Sequence, residues 1–107
     1  MDRYVEVTTT TETEQDARRI ATAVVQGRLA ACAQVAGPIT STYWWDGEVQ
    51  TAEEWRCQIK TTRGRLEELT QTILALHPYD TPEIIALPIV AGSEAYLSWL
   101  EEEVGEG

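Results

Sequence analysis

Six side chains in this sequence carry most of its capacity for chemistry. Cys32 and Cys57 are soft thiol donors, His77 is a borderline imidazole, and Asp80 and Glu83 are hard carboxylates that follow it closely. Lys60 is the sole lysine. A thiolate beside an imidazole suits copper or zinc, but spacing in the chain does not by itself assemble such a pair. A cysteine at a strand start is more often a small buried hydrophobe. A histidine before a proline is more often a helix-end residue that interacts favourably with the helix dipole. The absence of a CxxC pair argues against a finger-type zinc site.

Other chemistries find less support. One imidazole allows at most one nucleophilic triad per chain, and Ser41, Ser93 and Ser98 sit where a strand or a helix cap explains them. Neither GxGxxG nor GxxxxGK[ST] occurs, so no glycine-rich phosphate loop is expected. Arg63-Gly64-Arg65 opens a helix and could meet an anion, although exposed arginines at a strand end account for it better. Acylphosphatase-type chemistry relies on arginine with asparagine, and the chain has no Asn. No enzyme activity and no organic cofactor are expected.

The elements that must position these residues can be read from periodicity. Tyr4 to Thr10 is rich in β-branched residues and reads as a strand. Thr13, three residues before Asp16, caps a helix whose apolar positions are Ala17, Ile20, Ala21, Val24 and Val25, with an end at Gly27. Leu29 to Ala33 leads into a second strand, which Gly37-Pro38 interrupts with a bulge or bend before it resumes from Ile39 to Trp45. Asp46-Gly47 is a two-residue hairpin turn. The return strand alternates Trp55, Cys57 and Ile59 with Arg56, Gln58 and Lys60. Thr61 or Thr62 caps a helix with Leu66, Leu69, Ile73 and Leu76 on one side, and Pro78 stops it after His77. A short strand from Pro82 to Val90 belongs at an edge or bulges at Pro88, which cannot donate to a ladder. Ser93 caps a last helix that uses Tyr96, Leu97, Trp99 and Leu100, and Glu101-Glu102-Glu103 reads as its solvated, fraying end.

The order is β-α-β-β-α-β with one helix appended, an α+β arrangement of the ferredoxin-like kind in a single domain spanning 1–107. Both main helices then share one sheet face. The second face and the aromatic hairpin Tyr43-Trp44-Trp45 are left for self-association.

Composition bounds the partners. The chain has 107 residues, with 18 acidic against 8 basic, for a formal net charge of -10. Such a surface repels phosphate backbones, so no nucleic acid is expected. No run approaches the ~18 apolar residues of a membrane span, and the first residues lack a signal-peptide pattern. Cytoplasmic location and no membrane partner follow as expectations.

Three segments carry a family resemblance. Arg28-Leu29-Ala30-Ala31-Cys32, Tyr43-Trp44-Trp45-Asp46-Gly47 and His77-Pro78-Tyr79-Asp80-Thr81-Pro82-Glu83-Ile84 resemble the signature blocks of the CutA divalent-cation-tolerance family. Lys60-Thr61-Thr62 and Tyr96-Leu97-Ser98-Trp99 fit the same pattern, and the likeness runs from about Val5 to Leu100. It implies a homotrimer of ferredoxin-like subunits, linked to tolerance of copper and other divalent metals. Its metal ligands would fall on Cys32, His77 and Glu83, with Cu(II) or another divalent cation bound. Tyr79 and Lys60 would line the same inter-subunit clefts. The architecture is also similar to PII-type signalling trimers, in which Lys60, Arg63 and Tyr79 would contact a small anionic effector. Cys57 departs from the aliphatic residue that the pattern suggests and is not counted as a ligand. The Ala75-Leu76 pair stands where some relatives carry a second histidine.

Overall fold

A computed structural model describes residues 3–105. The elements are β1 (Tyr4–Thr11), α1 (Glu14–Gln26), β2 (Cys32–Trp45), β3 (Glu48–Thr62), a 3-10 turn (Arg63–Arg65), α2 (Leu66–Leu76), β4 (Ile84–Pro88) and α3 (Glu94–Val104). Four strands form one sheet in the order β2-β3-β1-β4, and every neighbouring pair is antiparallel. β4 lies at an edge, as its proline requires.

Alternation along the strands sorts residues between the two faces. Val5, Val7 and Thr9 of β1 oppose Thr61, Ile59 and Cys57 of β3, and all six are essentially inaccessible. Against them pack Ala17, Ile20 and Val24 from α1 and Leu69 and Ile73 from α2, forming the core. The helix starts follow local chemistry. Thr13 accepts from the Asp16 N–H at 3.1 Å and Ser93 from the Tyr96 N–H at 3.3 Å, each satisfying a first-turn donor.

The expected cap on α2 is absent. Thr61 donates instead to the Leu29 carbonyl at 2.6 Å, Thr62 makes no capping bond, and the 3-10 turn carries the chain into the helix. Strand register decides this: Thr61 points into the core, where its hydroxyl must find a backbone partner.

The second sheet face carries polar residues. Lys60 donates to Gln34 at 2.7 Å and lies 3.6 Å from Glu6, which also accepts from Gln58 at 3.2 Å. α3 covers one end of this sheet. Its anchors are Leu100 and Val104, both buried, whereas Tyr96 and Trp99 stay near 40% exposed. The glutamates at its end are not fraying. Glu101 takes bonds from Arg3 and Tyr4, and Glu103 from Arg28. Arg65 reaches the Val104 carbonyl at 3.1 Å.

β2 and β3 run past the rest of the sheet as a two-stranded ribbon, which gives the chain its long dimension of 44 Å against 25 and 22 Å. A register shift between Ala36 and Ile39, at the cis Gly37-Pro38 bond, marks where the ribbon leaves the sheet. Asp46 and Gly47 both adopt positive φ in the two-residue turn. Trp44, Trp45 and Val49 near the tip are each more than half exposed.

Candidate functional site

His77 closes α2 in extended conformation, because the following proline excludes another helical turn. Its ring turns back onto β1. Nδ1 accepts from the Tyr79 N–H at 3.2 Å, so Nε2 holds the proton and donates to the Thr10 carbonyl at 2.8 Å. The residue is 8% exposed. Both nitrogens are therefore committed within the chain. Arg19 from α1 donates to the Leu76 carbonyl at 2.9 Å and holds the same helix end.

The His77 ring stacks at a tilt on Tyr79, with centroids 4.8 Å apart. Tyr79 in turn donates to Glu54 Oε2 on β3 at 2.8 Å. Burial first, then the Glu54 carboxylate as acceptor and as charge, pushes the Tyr79 phenol well above its ordinary value. The chain of contacts Thr10–His77–Tyr79–Glu54 ties β1, the segment after α2 and the ribbon together.

Between ribbon and segment lies an open cleft of about 700 Å³. The ribbon supplies Ser41, Thr42, Tyr43, Trp44, Trp45 and Glu54. The other wall supplies Tyr79, Asp80, Thr81 and Glu83, with Thr10 beneath. Among the described residues, three carboxylates and no basic side chain line it. The cleft thus offers negative charge and aromatic surface, a combination suited to cations.

The residues singled out in the sequence are divided between two places. Glu83, Asp80 and Tyr79 line the cleft, and His77 stands behind Tyr79. Cys32 pairs with Lys60 at the far end of the sheet, whereas Thr10, which meets His77, pairs with Arg56. Arg56 and Lys60 are four positions apart along β3, about 13 Å at ~3.3 Å per residue. Cys32 is half-buried and faces Tyr96 of α3, whose phenol is raised by burial first and then by the neighbouring thiol. Lys60 is held by Gln34 and Glu6, and neither it nor Arg63 lines the cleft. Among the described residues no three of His, Cys, Asp and Glu gather so as to hold a metal ion. Within one chain, Cys32, His77 and Glu83 therefore do not fit a common metal. Cys57 is fully buried, and burial pushes its thiol up to about 11.

Glu54 escaped the reading of the sequence. Nothing in the sequence marks it out from Glu53 beside it; only its register opposite Ile39, beside the bulge, buries it.

Comparison with known proteins adds a consistent picture. The profile described as CutA1 divalent ion tolerance protein matches residues 5–103. The divalent-cation tolerance protein CutA of Thermus thermophilus is 46% identical over 96 residues, covering 90% of this chain and 93% of that protein. The chloroplastic CutA 1 of Oryza sativa is 41% identical over 91% of this chain, which spans 55% of the rice protein's length. The crystal structure of CutA1 from Oryza sativa superposes with a TM-score of 0.95 at 39% identity, covering 99% of this chain and 97% of that one. The Thermus thermophilus structure gives 0.92 at 44% identity, over 95% and 99%. Among the described residues no helix is long and apolar enough to cross a membrane.

Proposed function

The chain belongs to the CutA1 divalent ion tolerance family, and from that premise we propose that it acts as a homotrimeric divalent-cation tolerance protein built from ferredoxin-like subunits. The observation that carries the cation reading is the cleft, with Glu54, Asp80 and Glu83 on its walls and no Lys or Arg among its lining residues. Carboxylate oxygens attract hard divalent cations, and the net charge of -10 concentrates them near the surface.

Self-association is supported by the exposed aromatic ribbon and by Ile85 and Leu87, half exposed on the second sheet face. A copper or zinc ligand set containing Cys32 and Glu83 would have to form across a subunit boundary. His77 supports it by orienting the 77–83 segment rather than as a ligand, since both ring nitrogens are engaged. The alternative, a PII-like trimer holding a small anionic effector, requires basic groups in the cleft. Lys60 and Arg63 lie outside the lining of the cleft within one chain, so such an effector would have to bind between subunits. The compartment proposed is the cytoplasm; relatives described as chloroplastic and periplasmic show that the family is not confined to one.

Native mass spectrometry of the metal-free protein during titration with copper and zinc tests this function. The expected species is a trimer that takes up metal in multiples of three, with uptake reduced in Cys32→Ser and Glu83→Gln while the mass of the assembly holds. A monomer, or uptake indifferent to both substitutions, would refute the proposal.

A further inference from the structure

Two unlike sets of contacts fasten α3 to the rest of the chain. Leu100 and Val104 are buried, yet neither belongs to the core that the sheet builds with α1 and α2. They anchor the helix against β3 on the second sheet face. The other set is ionic and gathers at the C-terminal end of the helix. Arg3 reaches Glu101 at 2.6 Å, and Arg65 reaches the Val104 carbonyl at 3.1 Å. Arg28 reaches Glu103 twice, at 2.7 Å to Oε1 and 3.0 Å to the carbonyl. These arginines come from the approach to β1, the α1–β2 loop and the 3-10 turn, so three separate parts of the chain close on one helix end. Arg28 holds φ at 61°, a conformation that glycine adopts with less strain.

Without that clamp the helix is poorly supported. Glu101, Glu102 and Glu103 place negative charge at the end where the helix dipole is already negative, and the last turn has no basic residue of its own. Its 11 residues are too few for a stable isolated helix. Closure also carries a cost. Thr62 alternates with the core-facing Thr61 and so lies on the face that α3 covers, where its Oγ1 is buried without a hydrogen-bond partner. The Ile89 N–H donates to the Tyr4 carbonyl at 2.9 Å, and from Val90 to Tyr96 every residue is exposed. That stretch supplies a hinge. An element packed apart from the core, joined by such a hinge and marginal by itself, opens without the rest.

Tyr96, in the first turn of α3, sets its phenol against the thiol of Cys32, which is half-buried. We infer that α3 is a latch, clamped shut by Arg3, Arg28 and Arg65, whose release uncovers the Cys32 thiol and the Thr62 end of the sheet. Exposed ionic contacts are screened by salt, so the latch loosens as ionic strength rises. It does not depend on Cys32 being a metal ligand; it sets when that thiol meets any soft cation or electrophile.

Alkylation of the metal-free wild-type assembly with iodoacetamide at fixed pH, read for each cysteine by peptide mass spectrometry, tests the latch. Cys32 is expected to react about fivefold faster in high salt than in low salt. Arg28→Gln and Arg65→Gln should raise the low-salt rate toward that level. Thr62→Val, which removes the orphaned hydroxyl, should slow it. Hydrogen exchange across Glu94–Val104 should follow the same order while β1 and β3 stay protected. Cys57, fully buried in the core, reports global unfolding. A Cys32 rate indifferent to salt and to both arginines overturns the latch, as do Cys32 and Cys57 reacting in step. Faster exchange of α3 with no gain in Cys32 labelling overturns it too. The wild-type salt series and Thr62→Val keep the test decisive should an arginine variant fold poorly. Metal uptake enters none of these readouts, so failure of the latch and failure of the metal reading are distinguishable.

Discussion

The phenol of Tyr79 donates to Glu54 across 2.8 Å, joining the segment after α2 to the base of the ribbon. Removing the donor takes away the hydrogen bond that Glu54 Oε2 accepts. Tyr79→Phe is expected to lose about 1–3 kcal/mol of stability, the cost of an unsatisfied buried acceptor. Urea unfolding would measure it. In Tyr79→Phe combined with Glu54→Gln the loss should shrink, because the residual charge is gone; a double variant as unstable as the sum of the singles would contradict that account.

Alkaline pH is expected to destabilise the protein through Cys57. Its folded value, raised from 9.0 to about 11 by burial, means the folded state holds a proton that the unfolded chain releases earlier. Stability is therefore full below pH 9.0 and is lost as pH rises toward about 11, by on the order of 2 kcal/mol. The raised phenol of Tyr79 acts in the same direction above pH 10.0. Thermal midpoints recorded against pH should show the decline, and Cys57→Val should flatten its first part.

Gly37 has no room for a side chain. A Cβ there would stand 2.7 Å from Trp55 Cε3 and 3.2 Å from the Glu54 carbonyl. Gly37→Ala must displace an indole that packs against the core, and about 1–3 kcal/mol of destabilisation is expected. Near-ultraviolet circular dichroism would register the shifted Trp55. An alanine variant with native stability and spectrum would show that the ring yields freely.

Thr9 offers a gain. Its hydroxyl is buried among apolar neighbours without a hydrogen-bond partner. Thr9→Val keeps shape and strand preference while removing an unsatisfied polar atom, so a rise of about 1 kcal/mol is expected from denaturant unfolding. Loss of stability would reveal a bonded water at this position.

The short-range signals in the sequence served well. Thr13 and Ser93 cap their helices, Asp46-Gly47 turns the hairpin, Gly37-Pro38 disrupts the register, and Pro88 lies on an edge strand. Each depends on a residue and its immediate neighbours, and local backbone chemistry is written in the chain. The errors were of another kind. Thr61 or Thr62 was expected to cap α2, yet Thr61 bonds Leu29 and Thr62 makes no capping bond; Glu101 and Glu103 were read as part of a fraying end and are held by Arg3, Tyr4 and Arg28. In every such case the deciding partner lies far away in sequence.

The candidate site divides along the same line. By itself the sequence determined the order of elements, the amphipathic faces and the family resemblance, because periodicity and motif spacing are properties of a linear string. Only the tertiary structure placed Cys32 at one end of the sheet and His77 near the other, committed both imidazole nitrogens, and turned Glu54 inward opposite Tyr79. Those outcomes follow from strand register, where one residue of slip exchanges the two faces of a sheet. A string of residue types does not contain that choice until the strands have paired.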